Sequence, residues 1–342
     1  NLLREQLFSR KELLFMMGMY KKDWKYIHQC IISDTMNSGE KGVLITGSSG
    51  FIGRNLIRMA TSKNINSTSL DLVGKPDIKC DLANLDWEEI RLSEYNAVIH
   101  LAAMTSVPGS FEHPKKYLDV NSTATKKLFS ACVEQNVEKV IFASSAAVYG
   151  SSHEEIKRIG EEGEPESPYA DTKLHGEEIA RNLSMGNTSF LCLRFFNVYG
   201  PFQKMDGAYS AVIPAFIHNG ITRKEIKIFG DGGQTRDFIH VNDVCSAIIS
   251  SLSARLSDFS VINVGSGKGI SILELAKLTS ELIELSGRPL PEIIFSPERL
   301  GDVRHSTADL SGLERFLDID KLTTLEVGLQ DLIERTLDEY NA

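Results

Sequence analysis

The chain reads as an α/β protein, a doubly wound parallel sheet carrying a smaller α/β lobe. Three observations predict it. A strand, a turn with three glycines and a helix follow one another over residues 42–60. Apolar runs then alternate with helical stretches as far as residue 200. Beyond Gly200-Pro201 the rhythm changes to short strands mixed with helices. Regular alternation implies parallel strands joined by right-handed crossovers, with helices on both faces.

Composition narrows the function classes. The 42% hydrophobic and 24% charged content is that of an ordinary globular protein, and 342 residues are ample for a sizeable core. A formal charge of −9 leaves no basic excess to neutralise phosphates, so a nucleic-acid partner is not expected. The five cysteines stand apart at 30, 80, 132, 192 and 245, with neither the pairing of a disulfide framework nor the spacing of a metal site. They read as buried thiols in a reducing, cytoplasmic compartment. No apolar run reaches membrane-spanning length, and no secretory signal is visible.

Residues 1–41 form an N-terminal extension and linker. Met16, Tyr20, Trp24, Ile27 and Ile31 recur at helical spacing, with Lys21, Lys22 and Lys25 between them. A basic amphipathic helix can lie on a membrane surface. Glu5, Glu12 and Asp23 interrupt the basic face, which favours packing of the apolar stripe on the body or on a second subunit.

The unit spanning residues 42–200 opens on Val43-Leu44-Ile45, a buried strand. Gly47, Gly50 and Gly53 follow, then a helical pattern over residues 54–60. This is the context in which a glycine fingerprint carries meaning, and it predicts a Rossmann-type dinucleotide site. Gly47 permits the tight turn, Gly50 leaves room for a pyrophosphate, and Gly53 lets helix and strand approach. The free N–H groups and positive end of the helix favour the anion, with Phe51 and Ile52 in its first turn. Asp71, 18 residues past Gly53 at the end of the next strand, fits a ribose diol and disfavours a 2′-phosphate, hence NAD. A short strand over residues 77–81 ends in Asp81, followed by Leu82, where an adenine would lie.

Further strands are expected at residues 98–101, 140–143 and 190–193, with helices over 124–134 and 169–182. Residues 154–166 are acidic and read as a solvated loop edge. Residues 201–342 are mainly a substrate-binding lobe interleaved with the sheet. Its strands are read at 226–229, 261–264 and 292–295, its helices at 241–253 and 272–285.

Catalytic chemistry is suggested by Tyr169 and Lys173. Pro168 starts a helix, so the two share one face. An ammonium beside a phenol favours the phenolate, and a phenol lowered in this way is a workable general base. Upstream, Ser144 and Ser145 close a strand at its carboxyl end, where α/β sheets bind ligands. Ser145 is placed to bond the same substrate hydroxyl as Tyr169.

Taken together, residues 46–53, 100–103, Asn121, 144–150, 169–173, 194–201, 230–243 and 299–309 resemble the extended short-chain dehydrogenases/reductases that act on nucleotide sugars. The resemblance covers about residues 42–340. It implies that Leu101, Ala102, Ala103, Asn121, Ser144, Tyr169, Lys173 and Phe196 lie along the cofactor. It also implies that Ser145, Asn197, Ala211, Val212, Arg236, Arg299, Asp302 and Ser306 hold a UDP-sugar, and that the protein is a homodimer. Forked donors such as Arg236 and Arg299 suit a pyrophosphate.

Relatives that eliminate water carry carboxylates in the two positions after the serine; here both are alanine, Ala146 and Ala147. Hydride removal and return then remain, and the expected reaction is 4-epimerisation through a transient 4-ketose on tightly bound NAD. In the resembled 4-epimerases the position of Ser306 lies beside the sugar 2-substituent, and a serine leaves room for an acetamido group. UDP-N-acetylglucosamine is therefore the expected substrate. UDP-glucose or a UDP-uronate, a net NAD(P)-dependent reductase, and a non-catalytic NAD sensor are the rival readings. The intact Ser145, Tyr169 and Lys173 argue against the last.

Overall fold

The computed structural model describes residues 41–184, 186–204, 211–298 and 303–341. The expected helix of the N-terminal extension lies outside the described residues, as do Arg299 and Asp302.

Seven parallel strands form the main sheet. We number them β1 (Gly42–Thr46), β2 (Ser67–Asp71), β3 (Ile78–Lys79), β4 (Tyr95–His100), β5 (Lys139–Ser145), β6 (Ser189–Phe195) and β7 (Phe259–Val264). Their spatial order is β7-β6-β5-β4-β1-β2-β3. The order reverses at β1, and that is where a doubly wound sheet opens a crevice for ligand.

Side-chain alternation shows why helices cover both faces. Along β1, Leu44 enters one core with Leu128, Phe129 and Ile179, while Val43 and Ile45 enter another with Val244 and Ile248. Along β5, Val140 and Phe142 join the first core, Ile141 and Ala143 the second. Strands buried on both faces need continuous apolar runs, the pattern these segments carry.

The strand β7 is where the chain beyond residue 200 enters the main sheet. Residues 261–264 were expected in a lobe interleaved with the sheet, and β7 pairs with β6 along its length, from Phe259 opposite Phe190 to Val264 opposite Phe195. The crossover from β6 to β7 therefore contains much of the lobe. The helix Val241–Ser253 within it faces β1 through the second core.

The lobe has a core of its own, in which Ile213, Phe216, Ile228, Leu275, Ile283, Leu329 and Ile333 are buried together. Its small sheets join Asn197–Tyr199 to Thr235–His240 and Gly269–Ser271, and Ile226–Phe229 to Ile293–Ser296. The helix Ile272–Leu285 begins with a capping box between Ser271 and Glu274, which satisfies donors that would otherwise lack partners.

The acidic segment is largely exposed, as a solvated edge should be, but it is not all loop. Within it, Ile156–Lys157 pairs in parallel with Thr307–Ala308, and Lys157 is buried. Its ammonium donates to the carbonyls of Ser152 and Glu154. Carbonyl ligands offset the cost of burying this cation, which composition alone suggested would face water.

Candidate active site

The glycine turn separates three roles. A Cβ on Gly47 would lie 2.6 Å from the Ala102 nitrogen, and the residue has a φ of +72°. A Cβ on Gly53 would lie 2.1 Å from the Gly47 oxygen. Both positions are closed by backbone. Gly50 differs: its Cβ would approach only the Gly47 oxygen, at 3.2 Å, and its φ of −72° is ordinary. The space beyond Gly50 is otherwise open.

The helix that follows, Phe51–Ser62, has Gly50 as its N-cap, no side-chain cap and no acidic residue in its first turn. Its positive end is thus uncompensated, as a site for a diphosphate requires. Phe51 and Ile52 are half-buried and pack on the second core. Ser48 Oγ is buried in the same turn with no partner among the described residues.

Asp71 closes this turn from β2. Its carboxylate accepts from the Ser49 nitrogen at 2.8 Å and the Val73 nitrogen at 3.0 Å. It therefore stands at the mouth of the glycine turn with lone pairs to spare for a ribose hydroxyl. Asp81 accepts from the Ala83 nitrogen and the Asn84 amide, both at 3.0 Å, in a local turn. Leu82 is buried in the first core.

From β4, Leu101 donates to the Thr46 carbonyl at 3.2 Å, and Ala102 to the Thr46 hydroxyl at 3.4 Å. Ala103 continues this strand exit and is half-buried. His100 lies beneath, held by Thr46 at 2.8 Å and Thr125 at 2.9 Å. Burial pushes its pKa down to about 3, with Lys173 adding repulsion, so the ring is neutral.

Asn121 sits in a π-helical turn, Leu118–Thr123, that runs into the helix Ala124–Glu134. Its amide accepts from the Met104 nitrogen at 2.8 Å, donates to the Met104 carbonyl at 2.9 Å and reaches the Thr172 hydroxyl at 3.1 Å. One side chain thus joins the strand exit to the helix Pro168–Leu183, where Tyr169 and Lys173 reside. Widened turns of this kind recur at functional positions.

Tyr169 is 8% exposed and Lys173 4%. The expected lowering of the phenol by the ammonium is not found. Burial pushes the Tyr169 phenol above its ordinary range, and a hydrogen bond with Ser145 opposes part of the rise. Lys173 Nζ lies 5.9 Å from the centre of the Tyr169 ring and donates instead to the Ala143 carbonyl at 2.7 Å. Its own pKa is pushed down to about 8 by burial, against the attraction of Glu177. Desolvation outweighs a charge that is not in contact with the phenol.

Ser145 ends β5 and caps the 3-10 turn Ala146–Tyr149, accepting from the Ala147 nitrogen at 3.1 Å. Ala146 and Ala147 are half-buried beside it. Ser144 faces away: its hydroxyl donates to Glu177. Phe196 is buried against Tyr149, with ring centres 6.2 Å apart.

On the lobe side, Asn197 donates to the Asp237 carbonyl at 3.0 Å. Arg236 donates to the Thr235 carbonyl at 2.7 Å and lies near enough to Lys157 to depress its pKa. The Ser306 carbonyl accepts from the Asp237 nitrogen at 2.9 Å, one residue before the Thr307–Ala308 strand. Ala211 is the N-cap of the helix that begins at Val212.

Two groups escaped the sequence reading. Asp237 is fully buried, and its carboxylate accepts from Ser266, Gly267 and Ala308, which welds three lobe segments together. Burial still pushes its pKa up. Arg194 and Glu177 form a buried pair beside Ser144, with Nε to Oε1 at 2.9 Å and Nη2 to Oε2 at 2.7 Å. The signal was a lone arginine inside the apolar run of residues 190–196.

The NAD dependent epimerase/dehydratase family matches residues 43–265. The chain is 30% identical over 314 residues to YtcB of Bacillus subtilis, named as an uncharacterized UDP-glucose epimerase, covering 85% of this chain and 96% of that one. It is 31% identical over 312 residues to a putative UDP-glucose 4-epimerase of Methanocaldococcus jannaschii, covering 86% and 97%. Among solved structures, the UDP-N-acetylglucosamine 4-epimerase of Methanobrevibacter ruminantium M1, in complex with UDP-N-acetylmuramic acid, superposes with a TM-score of 0.80 at 34% identity, covering 88% and 99%.

Proposed function

The chain belongs to the NAD dependent epimerase/dehydratase family, and on that premise we propose that it interconverts UDP-N-acetylglucosamine and UDP-N-acetylgalactosamine by inverting the sugar 4-position. The observation that carries this reading is the placement of Ser145, at the end of β5, near enough to the Tyr169 phenol to lower its pKa, followed by two alanines where an elimination would need acids. Among the described residues, Glu177, which accepts from Ser144, and Glu162 are both engaged by Arg194.

The open space beyond Gly50 and the bare first turn of its helix suit a diphosphate, and Asp71 suits the adjoining ribose. When bound, NAD supplies a reversible hydride acceptor. Tyr169 takes the proton of the 4-hydroxyl while Ser145 holds the same oxygen. The resulting 4-ketose turns over in the site and is reduced on its other face, and Tyr169 returns the proton. To accept that proton the Tyr169 phenol has to ionise against the rise that burial imposes, and Lys173, on the same helical face, is the positive charge assigned to favour the phenolate. Arg236, Asn197 and Ser306, together with Arg299 and Asp302, are assigned to the nucleotide and sugar. We also take the active species to be a homodimer, which light scattering tests.

Purified protein incubated with UDP-N-acetylglucosamine should form UDP-N-acetylgalactosamine with no net change at the nicotinamide absorbance band. Tyr169→Phe should abolish turnover while NAD stays bound. Net absorbance change would replace epimerisation with reduction or dehydrogenation. A UDP-glucose 4-epimerase is the second reading, favoured by the names of two relatives. Comparable or faster turnover of UDP-glucose would establish it instead.

A further inference from the structure

Glu177 lies four residues beyond Lys173 and eight beyond Tyr169, so all three share one face of the helix Pro168–Leu183. Its side chain is 5% exposed and that of Arg194 4%. The guanidinium forks onto both carboxylate oxygens, and the remaining nitrogen, Nη1, pairs with Glu162 of the acidic segment. The arginine also lies over the Tyr149 ring, 4.9 Å from its centre. Glu177 accepts, in addition, from the hydroxyl of Ser144, the neighbour of Ser145.

One guanidinium thus ties together the helix of Tyr169 and Lys173, the strand end of Ser145, the turn that follows it, and a segment paired with the substrate lobe through Thr307–Ala308. A buried ion pair is a poor source of net stability, because desolvation offsets the attraction. Its geometric demand is strict, however, since a planar fork fixes both partners.

Resting on the catalytic reading above, we propose that Glu177 and Arg194 are positioning residues for the epimerisation, holding Lys173 charged and Ser145 in register with Tyr169, and that Glu162 links this pair to the acidic segment. Glu177 is the anion that sustains the ammonium of Lys173 against burial. Removing its charge leaves Glu162 as the anion paired with Arg194 and makes the ammonium of Lys173 easier to lose. Neither residue touches substrate; both act through Lys173 and Ser145.

The test compares Glu177→Gln, Glu177→Asp and Glu162→Gln in the NAD-loaded protein, with UDP-N-acetylglucosamine as substrate and with the pH profile of kcat recorded for each. For Glu177→Gln, kcat should fall about 10-fold or more with KM within about twofold, and the alkaline limb should move to lower pH. Glu177→Asp, which restores the charge, should return the limb towards that of the parent. Glu162→Gln, altered at a partly exposed position, should shift the limb in the same direction by less, and carries the test if Glu177→Gln does not fold. An unmoved limb in Glu177→Gln, or in Glu162→Gln where that variant stands in, overturns the proposal even if kcat drops, because a merely structural defect lowers activity at every pH alike. Failure of the catalytic reading is recognised separately, by full turnover in Tyr169→Phe.

Discussion

Lys173 Nζ donates to the carbonyl of Ala143 at 2.7 Å, so the ammonium is moored to the strand that ends in Ser145 and not to the phenol one helical turn earlier. Its Nζ stands 5.9 Å from the centre of the Tyr169 ring. The pKa of such a lysine is set chiefly by burial, and here it is pushed down to about 8. A lysine is charged below its pKa. The charge is therefore complete well under pH 8 and lost as pH rises through it. Activity that needs the ammonium should show an alkaline limb near that pH, measured as kcat/KM against pH. In Lys173→Arg, which stays charged throughout, the limb should vanish from whatever activity is left. A limb that is the same in both proteins would remove Lys173 as its source.

Gly50 and Gly53 should respond differently to the same methyl group. At Gly53 the added carbon meets the Gly47 oxygen at 2.1 Å, and backbone must shift. Overpacking of that kind costs about 1–3 kcal/mol, visible as a lower melting temperature. At Gly50 the added carbon meets one oxygen at 3.2 Å and otherwise enters the open space proposed for the diphosphate. Gly50→Ala should melt close to the parent yet release its NAD on gel filtration. Retained NAD in Gly50→Ala would show that the diphosphate lies elsewhere.

Asp71 holds the turn through Ser49 and Val73 and offers its remaining lone pairs outward. Asp71→Asn keeps the shape and removes the charge. Hydrogen bonds to charged groups contribute about 1.5–3 kcal/mol, so NAD affinity should fall by roughly 10-fold or more. Affinity for NADP should fall less, since the repulsion of a 2′-phosphate disappears with the charge. Titration of both nucleotides into the parent and the variant checks this, and an unchanged NAD-to-NADP ratio would rule Asp71 out as the discriminating group.

Ser306 carries the assignment of the sugar. Ser306→Tyr should reduce turnover of UDP-N-acetylglucosamine by about 10-fold or more while sparing UDP-glucose, because a filled pocket rejects bulk more effectively than an open one selects it. Equal losses on both sugars would mean that position 306 does not lie beside the 2-substituent. The readout is product separation with each substrate at saturation.

Much of the frame is legible along the chain because it rests on local chemistry. Apolar runs at 140–143 and 190–193 mark β5 and β6, with ends one or two residues further out in the structure. The helices over 241–253 and 272–285 coincide with Val241–Ser253 and Ile272–Leu285. Helix periodicity, glycine spacing and a proline at a helix start are short-range signals that need no knowledge of distant contacts.

The glycine turn, the acid at the end of β2 and the shared helical face of Tyr169 and Lys173 were written in adjacent residues, since spacing alone creates them. Folding in three dimensions assigned the rest. It carried Phe259–Val264 into the main sheet, sank Lys157 among carbonyls, and brought Glu162, Glu177 and Arg194 together from separate segments. It also reversed the expected shift of the Tyr169 phenol, because desolvation depends on everything packed around a group, and no local pattern reports how much water that packing excludes.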